Sequence, residues 1–280
     1  MPQLAANGLS ENWLFKHCGD QHWRALCESL GTRSSDLRDD GGLRLYPTFI
    51  AISARYSLAL SSTQESDELE SGIDVAHFGR SFFVSKVELA NEKSTLVQEM
   101  VTAFVARIDE TKNALRKSTP ASALEYRCRE LSGAPPLLDL SRRMRSGELT
   151  QYELAGRTLH IGPAGRLDLT CRYEPSPYTD FNGANLLYFA SYPSICDSLE
   201  RTIIQRNSLV DLAADWSLAT STTARDVFYY RNLDIGMALV ARLNRLVRDH
   251  DDFLLHTTLL SEADGAPIAD VLTLKSRTPD

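Results

Sequence analysis

Apolar residues recur at three- and four-residue steps between residues 7 and 31, and this spacing predicts a helix. Asn7 or Ser10 can cap its first turn, because short polar side chains accept hydrogen bonds from the free backbone amides there. Gly19-Asp20 predicts a break that divides the helix in two, since glycine ends helices and aspartate begins them. The apolar positions are Trp13, Leu14, Cys18, Trp23, Leu26, Cys27 and Leu30. A helix this apolar must be wrapped on most sides by the rest of the chain.

Period-two alternation follows and predicts strands. The segments are Leu43–Ile52, Ser71–Phe78, Ser81–Leu89 and Thr95–Ile108. The polar residues 90–94 join the last two segments, which indicates an antiparallel hairpin. Proline cannot donate to a strand ladder, so Pro47 predicts an edge, a bulge or a strand end. One helix followed by long antiparallel strands predicts an α+β fold in which the sheet curls around the helix.

The strand signal fades from Asp109 to about Thr150, which predicts a connector between two units. A short helix is expected over residues 118–131. A second short helix is expected to carry Arg142, Arg143 and Arg145, a local basic run that could face an acidic partner.

The second half repeats the first. Asn182-Gly183 aligns with Asn7-Gly8, and this predicts a second apolar helix from Asn182 that is interrupted at Tyr192-Pro193. Further β-rich segments are Leu167–Tyr173, Trp216–Tyr230, Met237–Val247, Phe253–Leu260 and Ile268–Leu274. Residues 261–265 form the hairpin turn that matches residues 90–94.

Two copies of a helix wrapped by an antiparallel sheet make the double hot-dog layout, which is the predicted fold. The predicted boundaries are an N-terminal unit at residues 1–110, a connector at 111–150 and a C-terminal unit at 151–280.

Composition narrows the function. The chain has 280 residues, 43% of them apolar, and a net charge of −7, which fits a globular protein and argues against a general nucleic-acid binder. No stretch is apolar enough to span a membrane, and the first residues lack the pattern of a signal peptide, so we expect a cytoplasmic protein. The five cysteines are scattered without a CxxC pair, which favours buried thiols over a disulfide framework or a zinc site.

Several long motifs resemble one family. They are residues 7–14 (NGLSENWL) with 19–20 and 22–23, 44–49 (RLYPTF), 78–81 (FGRS), 180–183 (DFNG) with 186–189 and 191–193, and 225–230 (RDVFYY). The chain resembles the double hot-dog family of polyketide-biosynthesis proteins that includes the bifunctional methylmalonyl-CoA acyltransferase/decarboxylase of the leinamycin pathway. The resemblance implies an enzyme that moves the acyl group of methylmalonyl-CoA to an acyl carrier protein and releases carbon dioxide to leave a propionyl thioester. It implies no metal or organic cofactor.

The resemblance also places Tyr46 at the position of the family's proposed catalytic tyrosine, as an acyl acceptor or as a donor that orients the substrate. A phenol is a weak nucleophile at neutral pH, so it would need a nearby base or cation, and Arg44 is two residues away on the same strand face. A proline at position 47 departs from the alanine more usual in the family.

Decarboxylation of a malonyl-type thioester builds charge on the thioester oxygen, so hydrogen-bond donors must face that oxygen. Helix starts supply such donors, and glycine allows close approach. Asn7-Gly8 and Asn182-Gly183 are therefore candidate oxyanion sites, although each could equally be a simple helix cap. Ser191 and Tyr192 could line the acyl pocket or cap the helix at Pro193.

Two other functions stay open. Hydrolysis of an acyl-CoA or acyl-carrier thioester would use a carboxylate near the helix start, for which Glu11 or Asp20 could serve. A non-catalytic module could bind the carrier protein alone through Arg142, Arg143 and Arg145.

The six histidines lack triad or metal-ligand spacing and are expected to be packed or exposed. His22, which is close to Asp20 in the sequence, is the one to test as a general base. A homodimer through a sheet edge is left open.

Overall fold

The computed structural model describes residues 3–108, 115–211 and 215–278. The helices of these residues are α1 (Glu11–Leu30), α2 (Pro136–Ser146), α3 (Ser191–Arg206) and α4 (Trp216–Ala219). The strands are β1 (Leu4–Ala5), β2 (Gly8–Leu9), β3 (Leu45–Tyr56), β4 (Glu70–Phe78), β5 (Phe82–Ala90), β6 (Thr95–Arg107), β7 (Leu115–Lys117), β8 (Arg129–Glu130), β9 (Gln151–Leu154), β10 (Arg157–His160), β11 (Leu169–Tyr173), β12 (Thr220–Tyr229), β13 (Leu239–Asp249), β14 (Asp252–Ser261) and β15 (Pro267–Arg277).

One long sheet runs through both halves in the order β11-β13-β14-β15-β12-β3-β6-β5-β4-β8. Its neighbouring strands are antiparallel except for the short β4–β8 pair. Helix α1 packs on β4 and β5, and α3 packs on β11, β13 and β14. The predicted α+β arrangement of two helix-wrapped units is therefore confirmed, and every predicted strand has an observed counterpart.

The two units are joined by a short ladder between β3 and β12. Residues 51–55 of β3 pair with residues 224–228 of β12, and the ladder ends where Ile50 forms a bulge in β3. Beyond that bulge, residues 45–49 pair with β6 and have no register partner in β12. We call the gap between residues 45–50 and residues 229–234 the seam.

Pro47 lies on the open edge of β3 along the seam. Its cross-strand neighbour is Phe104, whose carbonyl accepts a hydrogen bond from Ser118 on the side of β6 away from β3. Pairs alternate in an antiparallel ladder, so the N–H that proline lacks would have pointed into the seam and not at β6. The expected edge position of Pro47 is confirmed.

Helix α1 is continuous, and the predicted break at Gly19-Asp20 is wrong. Ser10 is the N-cap and accepts from the Trp13 amide, and Gly31 ends the helix in the left-handed conformation. Gly19 serves packing instead: a Cβ there would overlap Cζ of Phe189 and lie 3.0 Å from its Cε1. Glycine costs about 1 kcal/mol relative to alanine inside a helix, so the close approach of Phe189 explains its presence.

Three other expectations fail locally. No helix begins at Asn182, because residues 180–190 form turns and α3 begins at Ser191. In that helix Pro193 occupies the first turn, where its missing N–H costs no hydrogen bond. Residues 118–131 contain a turn at 122–123 and the short strand β8 instead of a helix. Strand β12 begins only at Thr220, since residues 216–219 are helical.

The connector covers the sheet face opposite α1 and α3. Helix α2, which carries the three arginines as predicted, packs on β3 and β12. The β9–β10 hairpin adds Tyr152, Leu154 and Leu159 to the same apolar cluster as Leu137 and Leu138 of α2. The predicted boundary at residues 110 and 111 lies outside the described residues.

Candidate functional site

A cavity of about 1760 Å³ occupies the seam. It reaches both faces of the sheet because β3 and β12 are not paired there: Leu45 and Phe49 pack toward α1, whereas Tyr46 lies on the face that carries α2. Helix α1, helix α2 and the turns at residues 182–189 supply its other walls. A cavity of this size is ample for a pantetheine-linked ligand.

The cavity lining is basic although the chain is acidic. Among the described residues that line it, three are acidic: Asp20, Glu28 and Asp234. Eight are basic: Arg24, Arg33, Arg44, Lys117, Arg127, Arg142, Arg145 and Arg231. A concave surface of one sign concentrates ligands of the opposite sign, so this cavity favours an anionic ligand.

Tyr46 lies in the cavity between two guanidinium groups. The Cζ atoms of Arg44 and Arg107 are 5.1 Å and 5.9 Å from the centre of its ring. Arg107 also donates to the backbone carbonyl of Ala184, which ties β6 to the turn that closes the seam. Cations this close attract a negatively charged ligand group to the space beside the ring. The predicted proximity of Arg44 is observed, and Arg107 was not anticipated.

The inner end of the cavity is closed by four aromatic rings, which we call the aromatic floor: Phe49, Phe189, Tyr192 and Tyr229. Phe49 and Phe189 have ring centroids 4.0 Å apart, and Tyr192 meets Tyr229 edge to face at 5.0 Å. The Tyr229 hydroxyl donates to the Phe189 carbonyl. Burial raises the pKa of both tyrosines, so they stay protonated. An apolar chain end fits this floor.

Asn182 and Gly183 line the cavity, but not as a helix start. Asn182 is held by its own turn, because its Oδ1 accepts from the amides of Ala184 and Leu186. Asn232, which sequence reasoning missed, is held alike: its Oδ1 accepts from the amides of Leu187 and Leu233. Tying the oxygen to the backbone leaves the Nδ2 end of each side chain as a donor toward other partners.

Asn7 and Gly8 lie outside the cavity lining. Gly8 belongs to β2, has φ of +101°, and leaves no room for a Cβ against the backbone of Leu60. The Asn7 amide donates to the Ser217 carbonyl. The first Asn-Gly pair therefore does not form the helix entrance that the duplication predicted, because β2 packs against residues 60–62 there.

Helix α3 places Ser191 and Tyr192 differently. Tyr192 is part of the aromatic floor, whereas Ser191 is buried outside the lining, and its backbone amide donates to the Tyr188 carbonyl.

The three arginines of α2 differ in position. Arg142 and Arg145 line the cavity, and Arg145 stacks over Tyr230 at 5.9 Å. Arg143 instead faces Glu148 in an exposed ion pair of 3.2 Å.

His22 is a packed core residue. Its Nδ1 and Nε2 atoms lie 2.7 Å and 2.8 Å from the hydroxyls of Ser85 and Thr102. Burial lowers the pKa of His22 to about 4, so the ring is neutral near pH 7. With both nitrogens bonded and no position in the cavity lining, His22 is placed as a structural residue and not as a general base.

Of the two candidate carboxylates, only Asp20 lines the cavity. It pairs with Arg24 at 3.0 Å, and its side chain keeps 70% of its surface exposed. Glu11 is buried in a group that we call the ion cluster, made of Glu11, Asp197, Arg225 and Lys275. In the sequence, the charged pair Arg225-Asp226 in the middle of the otherwise uncharged strand β12 is the feature that could have indicated this cluster.

Within the ion cluster Arg225 is fully buried and bonds Glu11 of α1 and Asp197 of α3, each at 2.9 Å. Burial of Asp197 opposes its ionisation, but Arg225 and Lys275 outweigh this and hold its pKa at about 2. Nearby Glu200 accepts a hydrogen bond of 2.5 Å from the Thr257 hydroxyl. Burial and the Asp197 charge raise the pKa of Glu200 to about 7.

No grouping of three or more His, Cys, Asp or Glu side chains that could hold a metal ion occurs in the described part of the chain. None of its helices is long and apolar enough to cross a membrane.

Comparison with solved structures identifies the fold. An oleoyl thioesterase from Lactobacillus plantarum superposes with a TM-score of 0.67 at 11% identity, over 99% of this chain and 93% of that one. A 12:0-ACP thioesterase from Umbellularia californica gives 0.63 at 8% identity, over 99% and 91%. An acyl-ACP thioesterase from Bacteroides thetaiotaomicron gives 0.55 at 12% identity, over 98% and 93%.

The chain therefore has the double hot-dog fold of these thioesterases, as predicted. At such identities the likeness establishes the fold alone. No protein-family model matches the chain, and no curated protein matches it at a significant level. None of the three neighbours is described as a polyketide-biosynthesis protein, so the closer resemblance of the motifs stays a prediction.

Proposed function

We propose that the protein is an acyl-thioester hydrolase whose substrates are carried by coenzyme A or by the phosphopantetheine of an acyl carrier protein. The observation that carries the proposal is the cavity itself: a basic lining in an acidic chain leads to an aromatic floor. Phosphate groups of the carrier suit the basic part, and an acyl chain suits the floor. The thioesterase structures that share the fold agree with this reaction class.

Hydrolysis needs a base for the attacking water and donors for the oxyanion of the tetrahedral intermediate. Helix α1 presents two carboxylates to the cavity, Asp20 and Glu28, and we assign the role of base to Asp20. The Nδ2 groups of Asn182 and Asn232 are the proposed oxyanion donors, because their oxygen ends are fixed by backbone amides. Loss of one such donor typically costs ~100-fold or more in kcat.

A second candidate is acyl transfer to the carrier protein with decarboxylation, and the position of Tyr46 between Arg44 and Arg107 favours it. The phenol oxygen would attack the thioester carbonyl, the C–S bond would break, and the phenol proton would leave with coenzyme A as its thiol. The carrier thiol would then attack the ester carbonyl, the bond to the Tyr46 oxygen would break, and the thiol proton would return to the phenol. Loss of carbon dioxide from the methylmalonyl group would leave an enolate, and a proton taken from water would convert it to a propionyl thioester.

One experiment separates these reactions. The protein is incubated with propionyl-CoA or methylmalonyl-CoA, with and without holo carrier protein, and the products are followed by mass spectrometry. Free acid from propionyl-CoA without carrier supports hydrolysis. A propionyl adduct on the carrier from methylmalonyl-CoA supports transfer, and intact thioesters under all conditions contradict both.

Matched variants assign the residues. Asp20→Asn should abolish hydrolysis, while Asp74→Asn, which breaks a similarly exposed ion pair with Arg129, should not. Tyr46→Phe should abolish transfer and spare hydrolysis. Tyr178→Phe is its control, since Tyr178 is 94% exposed and lies outside the cavity lining.

Arg142 and Arg145 of α2, which line the cavity, allow a test of whether the substrate is delivered by an acyl carrier protein. Reversing Arg142 and Arg145 to glutamate should raise KM for an acyl carrier substrate and leave kcat nearly unchanged, because the two residues would attract the acidic carrier without touching the reacting atoms. Reversal of Arg143, which faces Glu148, should have the smaller effect. Equal effects of all three would favour a general charge effect of the helix over a defined docking site.

A further inference from the structure

The aromatic floor meets α1 at one unusual position. Gly19 is buried in the middle of a continuous helix, where glycine is unfavourable, and the edge of the Phe189 ring occupies the space of its missing side chain. The Phe189 ring also packs against the Phe49 ring of β3, with centroids 4.0 Å apart. The ring is therefore held between helix α1 and strand β3 and closes the cavity there.

Phe189 is also fixed through its backbone. The Tyr229 hydroxyl donates to its carbonyl at 3.1 Å, and the next carbonyl, that of Ala190, accepts from the Asn12 side chain at 2.8 Å. These bonds tie the segment before α3 to β12 and to α1. The ring has a defined place, and that place depends on the absence of a side chain at residue 19.

We infer that Gly19 and Phe189 together set the length of the acyl chain that the cavity accepts, with the Phe189 ring as the stop. This inference rests on the proposed function, because it assumes that the acyl group points to the aromatic floor. A chain longer than the distance from the reacting carbon to this ring must displace the ring or stay partly outside. Enlarging residue 19 pushes the ring into the cavity, and shrinking residue 189 removes the stop.

The first test measures binding without turnover. A series of S-alkyl-CoA thioethers from ethyl to dodecyl is titrated against the wild type by calorimetry. Each buried methylene should strengthen binding about fourfold until the chain reaches Phe189, and further methylenes should add nothing. Phe189→Ala should move this limit to longer chains, with Phe189→Leu between the two should the alanine variant fold poorly. Gly19→Ala should move it to shorter chains.

A double variant distinguishes this role from loss of packing. In Gly19→Ala/Phe189→Ala the added methyl group has no ring to displace, so the limit should return to or beyond that of the wild type. Gly133→Ala is the control, since nothing lies within 4 Å of a Cβ at that loop position, and it should leave the limit unchanged. A general destabilisation would lower Tm without shifting the limit.

The outcomes separate this inference from the proposed function. An unchanged chain-length limit in all variants would overturn the role of Gly19 and Phe189, even where acyl-CoA is hydrolysed. Binding of thioethers with the expected shifts, but no hydrolysis of the matching acyl-CoA series, would support the stop and refute the hydrolase. Absence of any chain-length dependence in the wild type would overturn the inference directly.

Discussion

Arg225 offers the sharpest test of what holds the two halves together. Its guanidinium is fully buried and links Glu11, at the start of the first central helix, to Asp197 in the second. We expect Arg225→Met, which keeps an unbranched apolar stem and removes the guanidinium and its charge, to lower the free energy of unfolding substantially. Removing one partner of a buried ion pair leaves the other charge without compensation.

The magnitude follows from the two carboxylates that are left behind. Breaking a buried pair costs about 3–5 kcal/mol in general. Glu11 is only 9% exposed and loses its cationic partner, so it should contribute most of the cost. Asp197 keeps Lys275 at 2.9 Å and is 35% exposed, so water and lysine screen it and its share is small. We therefore expect a loss near the lower end, about 3 kcal/mol at pH 7.

The assay is urea denaturation of both proteins near pH 7 with comparison of the midpoints and m-values. A second variant, Arg225→Met/Glu11→Gln, removes the stranded charge and should recover much of the loss. A loss below about 1 kcal/mol, or a double variant no more stable than the single one, would refute the view that an uncompensated Glu11 carries the effect.

The remaining predictions concern pH and packing. Burial lowers the pKa of His22 to about 4, so between pH 4 and about pH 6.5 this residue binds a proton in the unfolded chain but not in the native state. The free energy of unfolding should therefore fall as the pH drops through this range, and His22→Gln should flatten that slope in urea titrations. Burial raises the pKa of Glu200 to about 7, so the free energy of unfolding should fall as the pH rises from about 4.3 to 7. Glu200→Gln, which can still accept the hydrogen bond from Thr257, should gain stability relative to the wild type as the pH is raised over that range. Gly8→Ala should cost at least ~2 kcal/mol, seen as a lower Tm, because φ is +101° and the new Cβ would overlap the backbone of Leu60.

The strands could be predicted from the sequence because their signal is local. Alternation and polar turns locate β5 and β6 within one or two residues of their observed ends. The same local reasoning misread Gly19, since a glycine that ends a helix and a glycine that admits a distant ring look alike in sequence. The reason for Gly19 is Phe189, 170 positions away along the chain, and only the tertiary structure brings the two together.

The candidate site was predicted in part for a related reason. Tyr46 and Asn182 do lie in one cavity, as predicted. The prediction that both Asn-Gly pairs begin helices was wrong, because it assumed that the two halves are alike at these positions. Near Gly8 the duplicated position is filled by residues 60–62, and α3 starts only at Ser191. Arg107 is the last residue of β6 and Asn232 lies three residues after β12. Polar residues are common at such positions, so nothing in the pattern singled these two out.

The bulge at Ile50 has a consequence for how such a pocket can change. The space at the seam exists because main-chain pairing between β3 and β12 stops there, so its width is determined by backbone register before any side chain is considered. Substitutions of residues in the cavity walls can change its shape only within the width that the backbone sets. Because a bulge bends its strand, loss of the one extra residue would straighten β3 at residue 50 and change the distance between the two halves along the seam, with no substitution in the walls.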